Sequence, residues 1–501
     1  MIEADFPLLS LTIIIPLLGA VLAGSIRNTD LAKQVAFFIA LLSLFLTFCV
    51  LILFDADKSG FQLVERHGWI SVLNIEYLVG VDGISVLFLP ATALLTLMAM
   101  LASWNTVSHS SRFHFSLLLA LEGVSIGIFC ALYTVLFFLF WELTLPPFFF
   151  LIGLWGIGSQ RRSAAMKYTL FMLSGGVTLL LAIIVLATNH ATQTGGQIPN
   201  DLTFSLPILL DTPLPHDLQN IVFLLLLFGF AVKSPLVPFH TWLPTVSTEG
   251  PTHIVAILVG LKLGIYGILR FAMPLAPVAA AEFSWVLSVI GAFTLIYGAL
   301  IALQQTNLRR LLAYASISHV GLVMVGIASL TIQGFQGAVF QLLNFTLIAS
   351  SLMLIAGFIH HRLGSTEIVH LGGLAKVMPK LTFFYFLFLL ASIGVPGTSG
   401  FPAELLMIIG ALNAHSILGV AALSGAILGA AYMLSYTRRA FLGPIIHSEV
   451  KQVIDLQPRE MILLLIPALL ILAFGLYPDY ILNINQMASE AWLSRLTMQS
   501  P

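Results

Sequence analysis

The chain has 501 residues, of which 59% are hydrophobic and only 9% charged, against about 25% charged in ordinary soluble proteins. So apolar a chain is not a soluble globule, and at ~20 residues per crossing it has length for roughly a dozen or more membrane spans in one integral unit, residues 1–501. Lys+Arg 21 against Asp+Glu 22 leaves neither a basic surface nor an acidic tail, which excludes nucleic-acid partners.

Apolar runs between polar breaks predict an all-α integral membrane fold of about fourteen transmembrane helices. In chain order they fall at 6–26, 32–54, 83–104, 113–131, 135–157, 164–188, 218–247, 252–274, 281–303, 308–330, 334–361, 379–413, 415–440 and 460–480. The first run lacks a basic leading region and is as long as a full span, so it reads as a retained helix and not a cleaved signal peptide. The seventh and twelfth runs are too long for a straight span and contain proline clusters, so each counts as one interrupted helix. Cys49 and Cys130 lie inside apolar runs with no ligand-rich spacing near either. No disulfide scaffold, haem, iron–sulfur site or metal cluster is expected, and no cofactor in this chain.

Basic residues collect on the cytoplasmic side of membrane proteins. With these spans fifteen of the 21 Lys and Arg, from Arg27 to Arg459, fall in loops on one side, and only Lys58, Arg66, Arg270 and Arg495 on the other. Both termini are therefore expected on the non-cytoplasmic side, together with the basic-free loop 189–217.

A charge at the bilayer centre costs ~2.5 to 3.5 kcal/mol or more, so it needs a partner, water or a function. Glu142, Lys233, Lys262 and Glu404 all occupy such positions. Pro235 and Pro238 follow Lys233, and each removes a backbone donor and frees a carbonyl four residues earlier, at Ala231 and Ser234. Gly394, Pro396, Gly397, Gly400 and Pro402 interrupt the twelfth span just before Glu404. Freed backbone is tolerated in hydrocarbon only against protein or a wet cavity, and two broken helices beside ionisable residues are a pattern of transporters built from repeats. Lys233 to Glu404 spans 171 residues and Glu142 to His319 spans 177. These near-equal offsets predict two five-helix units, spans 4–8 (113–274) and 9–13 (281–440), which an odd span number makes inverted repeats.

Histidine titrates near neutral pH and passes protons with little rearrangement. His319 lies in the tenth span with Ser316 three residues before it on the same face. Glu122 in the fourth span and His240 beside the broken seventh helix are weaker stations. His240 and His253 flank the loop after that helix on the cytoplasmic side, as a proton entrance or equally as a structural cap, and Arg270 is expected to snorkel to the outer interface. Glu142 and Lys233 are expected to lie within interaction distance, because opposite charges lower each other's cost. The set contains no nucleophile with its base and no phosphate loop. It reads as a proton wire.

The residues carrying these features are Phe140-Trp-Glu142-Leu, Lys233-Ser-Pro-Leu-Val-Pro-Phe-His-Thr-Trp-Leu-Pro244, Leu261-Lys262-Leu-Gly-Ile-Tyr-Gly-Ile-Leu-Arg270, Tyr314-Ala-Ser-Ile-Ser-His319 and Gly400-Phe-Pro-Ala-Glu404. They resemble the antiporter-like membrane subunits of complex I, and most closely the chain 4 type of NAD(P)H-quinone oxidoreductase, over essentially the whole chain from Gly80-Val-Asp-Gly-Ile-Ser85 onward. The resemblance implies a proton-translocating subunit whose redox chemistry occurs in other chains. It further implies a coupled Glu142 and Lys233, a central Lys262 that passes the proton along, and a terminal Glu404, where sister subunits carry lysine.

Family members carry a histidine in the eleventh span where Gln341-Leu-Leu-Asn-Phe345 has phenylalanine, with Asn344 beside it. A dry constriction is expected at Phe345, with a detour of waters or serines such as Ser316 connecting His319 to Glu404. The Phe-rich spans and the Trp-Glu-Leu motif resemble cyanobacterial and chloroplast chains. That likeness implies a thylakoid membrane, plastoquinone and photosynthetic electron transport, or otherwise a bacterial inner membrane. The expected partners are other membrane subunits of a complex I-like assembly and the lipid bilayer. The competing readings are a subunit of a multisubunit cation/proton antiporter, and a scaffold whose ionisable groups merely satisfy one another.

Overall fold

The computed structural model describes residues 1–70, 74–198 and 201–498. Among the described residues twelve helices are long and apolar enough to cross a membrane. They are Leu8–Ser25, Thr29–Leu53, Ser111–Cys130, Thr134–Trp155, Arg161–Gln193, His216–Lys233, Thr252–Leu275, Ser284–Gln304, Leu308–Ala328, Ile332–Leu363, Ser416–Ala440 and Pro458–Leu476. The shorter Phe88–Ser103 supplies the third span, and Pro379–Ser392 with Gly400–Ala414 form the two halves of the twelfth. The fourteen spans of the sequence are therefore all present, with ends shifted by a few residues.

Local chemistry starts several of them. Asn28 accepts from the backbone N–H of Asp30 and Leu31 at the head of the second span, and Asn307 from Arg309 and Arg310 at the head of the tenth. A capping box between Gln457 and Glu460 opens the fourteenth. Each cap satisfies donors that the helix itself leaves orphaned. Burial then sorts the spans. In the eighth, tenth and eleventh, 94%, 89% and 89% of the residues in their apolar stretches are enclosed, against 28% in the second. These three form the inner axis of the molecule, and the ionisable residues lie on and beside it.

The fold is not purely α-helical. Strand β1 (Gln62–Ile70) pairs antiparallel with β2 (Ile75–Val81) between the second and third spans. Glu65 of β1 is buried and accepts from the backbone N–H of Leu9 (2.6 Å) and Ser10 (3.0 Å) and from the Ser10 hydroxyl. A carboxylate here both caps the first helix and complements its dipole. A further helix, Asp479–Met498, follows the fourteenth span. It packs on the end of the eighth span through Trp492, whose indole N–H donates to the Leu269 carbonyl at 3.0 Å. Neither element has the long apolar run by which the spans were recognised.

Interruptions outnumber those predicted from proline clusters. The seventh span breaks after Lys233 and resumes at Trp242–Glu249, and the twelfth breaks between Ser392 and Gly400. The fifth divides at Thr144 into Thr134–Leu143 and Leu145–Trp155. Pro146 explains that division, since it cannot donate to the carbonyl four residues back, which is that of Glu142. The eighth breaks at Leu261 and Lys262 and continues through a π-helical turn, Ile268–Ala272. A second π turn, Phe345–Ala349, interrupts the eleventh. No proline accounts for the break at Lys262 or for the eleventh-span turn. Packing makes both.

The breaks are internally satisfied. The Ala231 carbonyl freed by Pro235 accepts from the Leu236 N–H at 3.2 Å, and the Val232 carbonyl from the Trp242 indole at 2.9 Å. In the twelfth span Gly394 and Gly397 have φ of +67° and +91°, a left-handed region in which only glycine is unstrained.

Candidate functional site

Glu142 is the penultimate residue of the first half of the fifth span. Its carboxylate lies against Gly176 of the sixth span, where an added Cβ would come to 2.0 Å from Oε1. The glycine is the pocket. Lys233 closes the first half of the seventh span. Its Nζ donates to Thr144 Oγ1 at 2.9 Å and stands 3.9 Å from the centre of the Trp141 ring. Each of the two feels the other's charge, the interaction expected of them, but they make no contact pair. No Glu142–Lys233 ion pair within 4.0 Å occurs among the described residues, and Glu142 Oε1 has no hydrogen-bond partner. Lys233 is instead solvated by the Thr144 hydroxyl, which itself donates to the Trp141 carbonyl at 2.8 Å, and by an aromatic face, which attracts a cation through its quadrupole. A cavity of about 10 Å³ beside Lys233 is lined by Ser125, Tyr168, Trp242, Leu261 and Leu263, so it reaches the residues on either side of Lys262.

Lys262 occupies the break in the eighth span. Its Nζ donates to Ser316 Oγ at 2.5 Å and stands 4.9 Å over the Phe345 ring. His319 lies three residues beyond Ser316, edge-on to the same ring at 6.3 Å. Its Nδ1 is 3.6 Å from Glu404 Oε1. Glu404 projects from the second half of the twelfth span onto Gly394, where an added Cβ would meet Oε2 at 2.5 Å. The lysine of the seventh span thus ends a half-helix, whereas Glu404 lies inside one.

Phe345 is buried between Lys262 and His319, but the site is not the dry constriction expected, and Ser316 does not sit between His319 and Glu404. Ser316 connects Lys262 to the tenth span, and His319 reaches Glu404 directly. Phe345 also lines a cavity of about 30 Å³ with Ser316, His319, Gln341, Asn344 and Ser392, about the space one or two waters need. Asn344 is not turned away from this space. Its side-chain amide donates to Gln341 Oε1 (3.1 Å) and to the Ser399 carbonyl (2.9 Å), tying the twelfth-span break to the eleventh. Histidine is smaller than phenylalanine, so Phe345→His fits without overpacking and places a titratable ring beside Lys262. The expected outcome is faster proton delivery to Glu404 and added hydration at this cavity, read by pumping rate and by infrared bands of confined water. Unchanged transfer and hydration would show that the phenylalanine has no consequence.

The weaker stations lie off this row. Glu122 is buried in the fourth span beside Ser43 of the second. His240 packs on Tyr297 and Tyr314 at 5.2 and 6.3 Å, away from the Ser316 and Phe345 contacts of Lys262. Tyr266 donates to the Phe129 carbonyl at 3.2 Å. Arg270 does not snorkel. It is 6% exposed and its Nη1 lies 2.5 Å from Asp82 Oδ2. Sequence reading passed over Thr144, Trp141 and Asp82. The Thr144-Leu-Pro-Pro147 spelling, with a hydroxyl just before paired prolines, is the one local signal that could have exposed Thr144.

These features define an antiporter-like integral membrane protein with ionisable side chains held at helix interruptions. Residues 131–429 match the family described as NADH:quinone oxidoreductase/Mrp antiporter, TM, and the chain belongs to this family. It is 38% identical over 493 residues to NADH-quinone oxidoreductase subunit M of Rickettsia prowazekii, covering 97% of this chain and 98% of that one. It is 34% identical over 490 residues to F(420)H(2) dehydrogenase subunit M of Methanosarcina mazei, covering 97% and 98%. Among solved structures it superposes on a chain of respiratory complex I from Thermus thermophilus with TM-score 0.88 at 29% identity, covering 97% of this chain and 99% of that one. The fold is also that of a chain of the Mrp complex from Dietzia sp. DQ12-45-1b, TM-score 0.83 at 24% identity, covering 98% of each.

Proposed function

We propose that this chain is a proton-translocating membrane subunit of a complex I-type NADH-quinone oxidoreductase. Protons pass by way of Glu142, Lys233, Lys262, His319 and Glu404, with Glu122 and His240 as side stations, and the chain itself carries no cofactor. The observation that carries the reading is the coincidence of helix interruptions with these side chains. Glu142, Lys233 and Lys262 stand at or beside a break, and Glu404 packs onto the glycine of another. Such backbone is tolerated in a membrane only where it is satisfied by protein or lines a wet path. Between the second pair of breaks Ser316 supplies a hydrogen-bonding step from Lys262, and His319 approaches Glu404 to 3.6 Å.

The redox partner is assigned to other chains of the assembly, and the neighbours of this subunit are further membrane subunits. Relatives at 34 to 38% identity are named as subunits of dehydrogenase complexes. They favour a NADH-quinone complex of a bacterial inner membrane and do not carry the photosynthetic, plastoquinone and thylakoid part of the expectation. Residues 113–274 and 281–440 are read as inverted repeats. A cation/proton antiporter subunit is the second reading, favoured by the family description and the shared fold. Copurification separates them. Iron–sulfur and quinone-reducing partners are expected, whereas recovery with small membrane subunits alone and sodium-dependent transport would favour the antiporter.

The basic loops lie at one end of the helices. Lys33 donates to the Trp104 carbonyl, Arg112 to Ile26 and Lys167 to Thr241, and Arg362 pairs with Glu460 at 2.5 Å. The hairpin, the Asp82–Arg270 pair and Arg495 with Asp211 (2.8 Å) gather at the other. By the positive-inside bias the first end is cytoplasmic and both termini are outside. Exposed Ser448 and Asp217 report the two ends. A cysteine at Ser448 is expected to label only from the cytoplasm and one at Asp217 only from outside. The reverse pattern would overturn this orientation.

A further inference from the structure

His253 stands in the first turn of the eighth span and His114 in the first turn of the fourth. Both rings are buried, and their Nε2 atoms are 3.1 Å apart with the rings inclined at 69°. At this distance one Nε2 carries a proton and the other accepts it. His253 lines a cavity of about 650 Å³ between the third, fifth, eighth, eleventh and fourteenth spans, at the end where the basic loops gather. His114 does not line it, and its Nδ1 is enclosed with no hydrogen-bond partner. One ring therefore meets the cavity and the other points a free nitrogen into the protein. Trp155 holds the inner ring edge-to-face at 4.8 Å and is itself fixed by donating to the His109 carbonyl at 3.0 Å.

A helix clamp needs neither the cavity nor the orphaned nitrogen. Burying an unpaired polar atom costs ~1 to 3 kcal/mol, which a purely structural pair would avoid with one apolar residue. The ionisable groups around the pair are His109 before the fourth span, Lys33 at the start of the second, His360, His361 and Arg362 at the end of the eleventh, and Glu449, Arg459 and Glu460 about the fourteenth. Arg362 and Glu460 neutralise each other, so histidines make up most of the remaining ionisable groups in the wall.

We propose that His253 and His114 form a two-histidine proton port between this cavity and the membrane interior, a role that rests on the transport reading above. A proton from cavity water binds the outer nitrogen of His253. The His253 Nε2 proton passes to His114 Nε2, and the His114 Nδ1 proton is taken by a water molecule entering on its inner side, since no protein acceptor reaches that nitrogen among the described residues. Each ring gains one proton and loses one, and tautomer exchange restores the starting pair.

The test uses the whole assembled complex in sealed vesicles, with His253→Ala and His114→Ala, and His253→Asn and His114→Gln as variants that keep side-chain hydrogen bonding in case the alanines fail to assemble. Proton flux is expected to fall by roughly tenfold or more, with the deficit deepening as the pH on the cavity side rises. Imidazole added on that side is expected to restore flux to His253→Ala, because the cavity is wide enough to admit it, and a merely structural pair would show neither response. Assembled variants with wild-type flux, or a deficit indifferent to both pH and imidazole, would overturn the port. Lys233→Ala serves as the control. If it stalls while the histidine variants do not, the port alone is wrong, and if it too pumps normally, the transport reading falls with it.

Discussion

Replacing Lys233 with arginine is expected to stall proton translocation as fully as replacing it with alanine, by roughly tenfold or more, which corresponds to at least ~1.4 kcal/mol in barrier. Both keep a foldable chain for different reasons. Alanine removes the cost of burying a charge. Arginine retains the positive charge over Trp141 and the donor to Thr144, but its guanidinium does not release a proton at accessible pH. An arginine variant that pumps at the wild-type rate would show that Lys233 acts through its charge and never through its proton. Thr144→Val removes the one hydrogen-bond acceptor that Lys233 has at 2.9 Å, and is expected to impair pumping less than loss of the lysine. Measurement is by proton uptake into vesicles at matched amounts of assembled complex.

Asp82→Ala is expected to destabilise the chain by about 3 to 5 kcal/mol, the cost of leaving one partner of a buried ion pair alone. Asp82 Oδ2 receives Arg270 Nη1 at 2.5 Å, while Oδ1 accepts from the N–H of Ile84 (3.2 Å) and Ser85 (3.0 Å). The pair therefore joins the end of the β hairpin to the π turn of the eighth span. Its loss is expected to lower the thermal midpoint in detergent and loosen the Asp479–Met498 helix, which docks beside it at Leu269. The double variant Asp82→Leu with Arg270→Met removes both charges and is expected to recover most of the stability. Equal stability of Asp82→Ala and the wild type would mean that Arg270 finds another anion.

Much of the site was legible before any packing was known. Lysine and glutamate in mid-span are costly wherever they sit, so Glu142, Lys233, Lys262 and Glu404 announce themselves by hydrophobic context alone. Pro235 and Pro238 forbid a continuous helix whatever surrounds them, and they place the seventh-span break beside Lys233. The hairpin and the last helix were less legible, because a strand pair of mixed polarity and a helix of ordinary composition carry no signal comparable to an apolar run of twenty residues. His114 was overlooked for a related reason. At the head of a span a histidine resembles an interfacial residue until its partner 139 positions away is seen.

Hydrophobic run length, basic-loop asymmetry and proline chemistry by themselves determined the fourteen spans, the two proline-marked breaks and the identity of the ionisable row. These properties act locally, through desolvation and backbone hydrogen bonding, and need no knowledge of neighbours. Only the tertiary structure decided which atoms meet. Lys233 makes its contacts with Thr144 and Trp141 while Glu142 acts on it only through its charge, Lys262 reaches Ser316 across a break that no proline encodes, and Arg270 is drawn inward by Asp82, 188 residues away. A buried polar group takes whichever partner the helix packing brings within about 3 Å. That choice rests on close approaches such as Glu142 against Gly176 and Glu404 against Gly394, where the absence of a single Cβ admits the carboxylate.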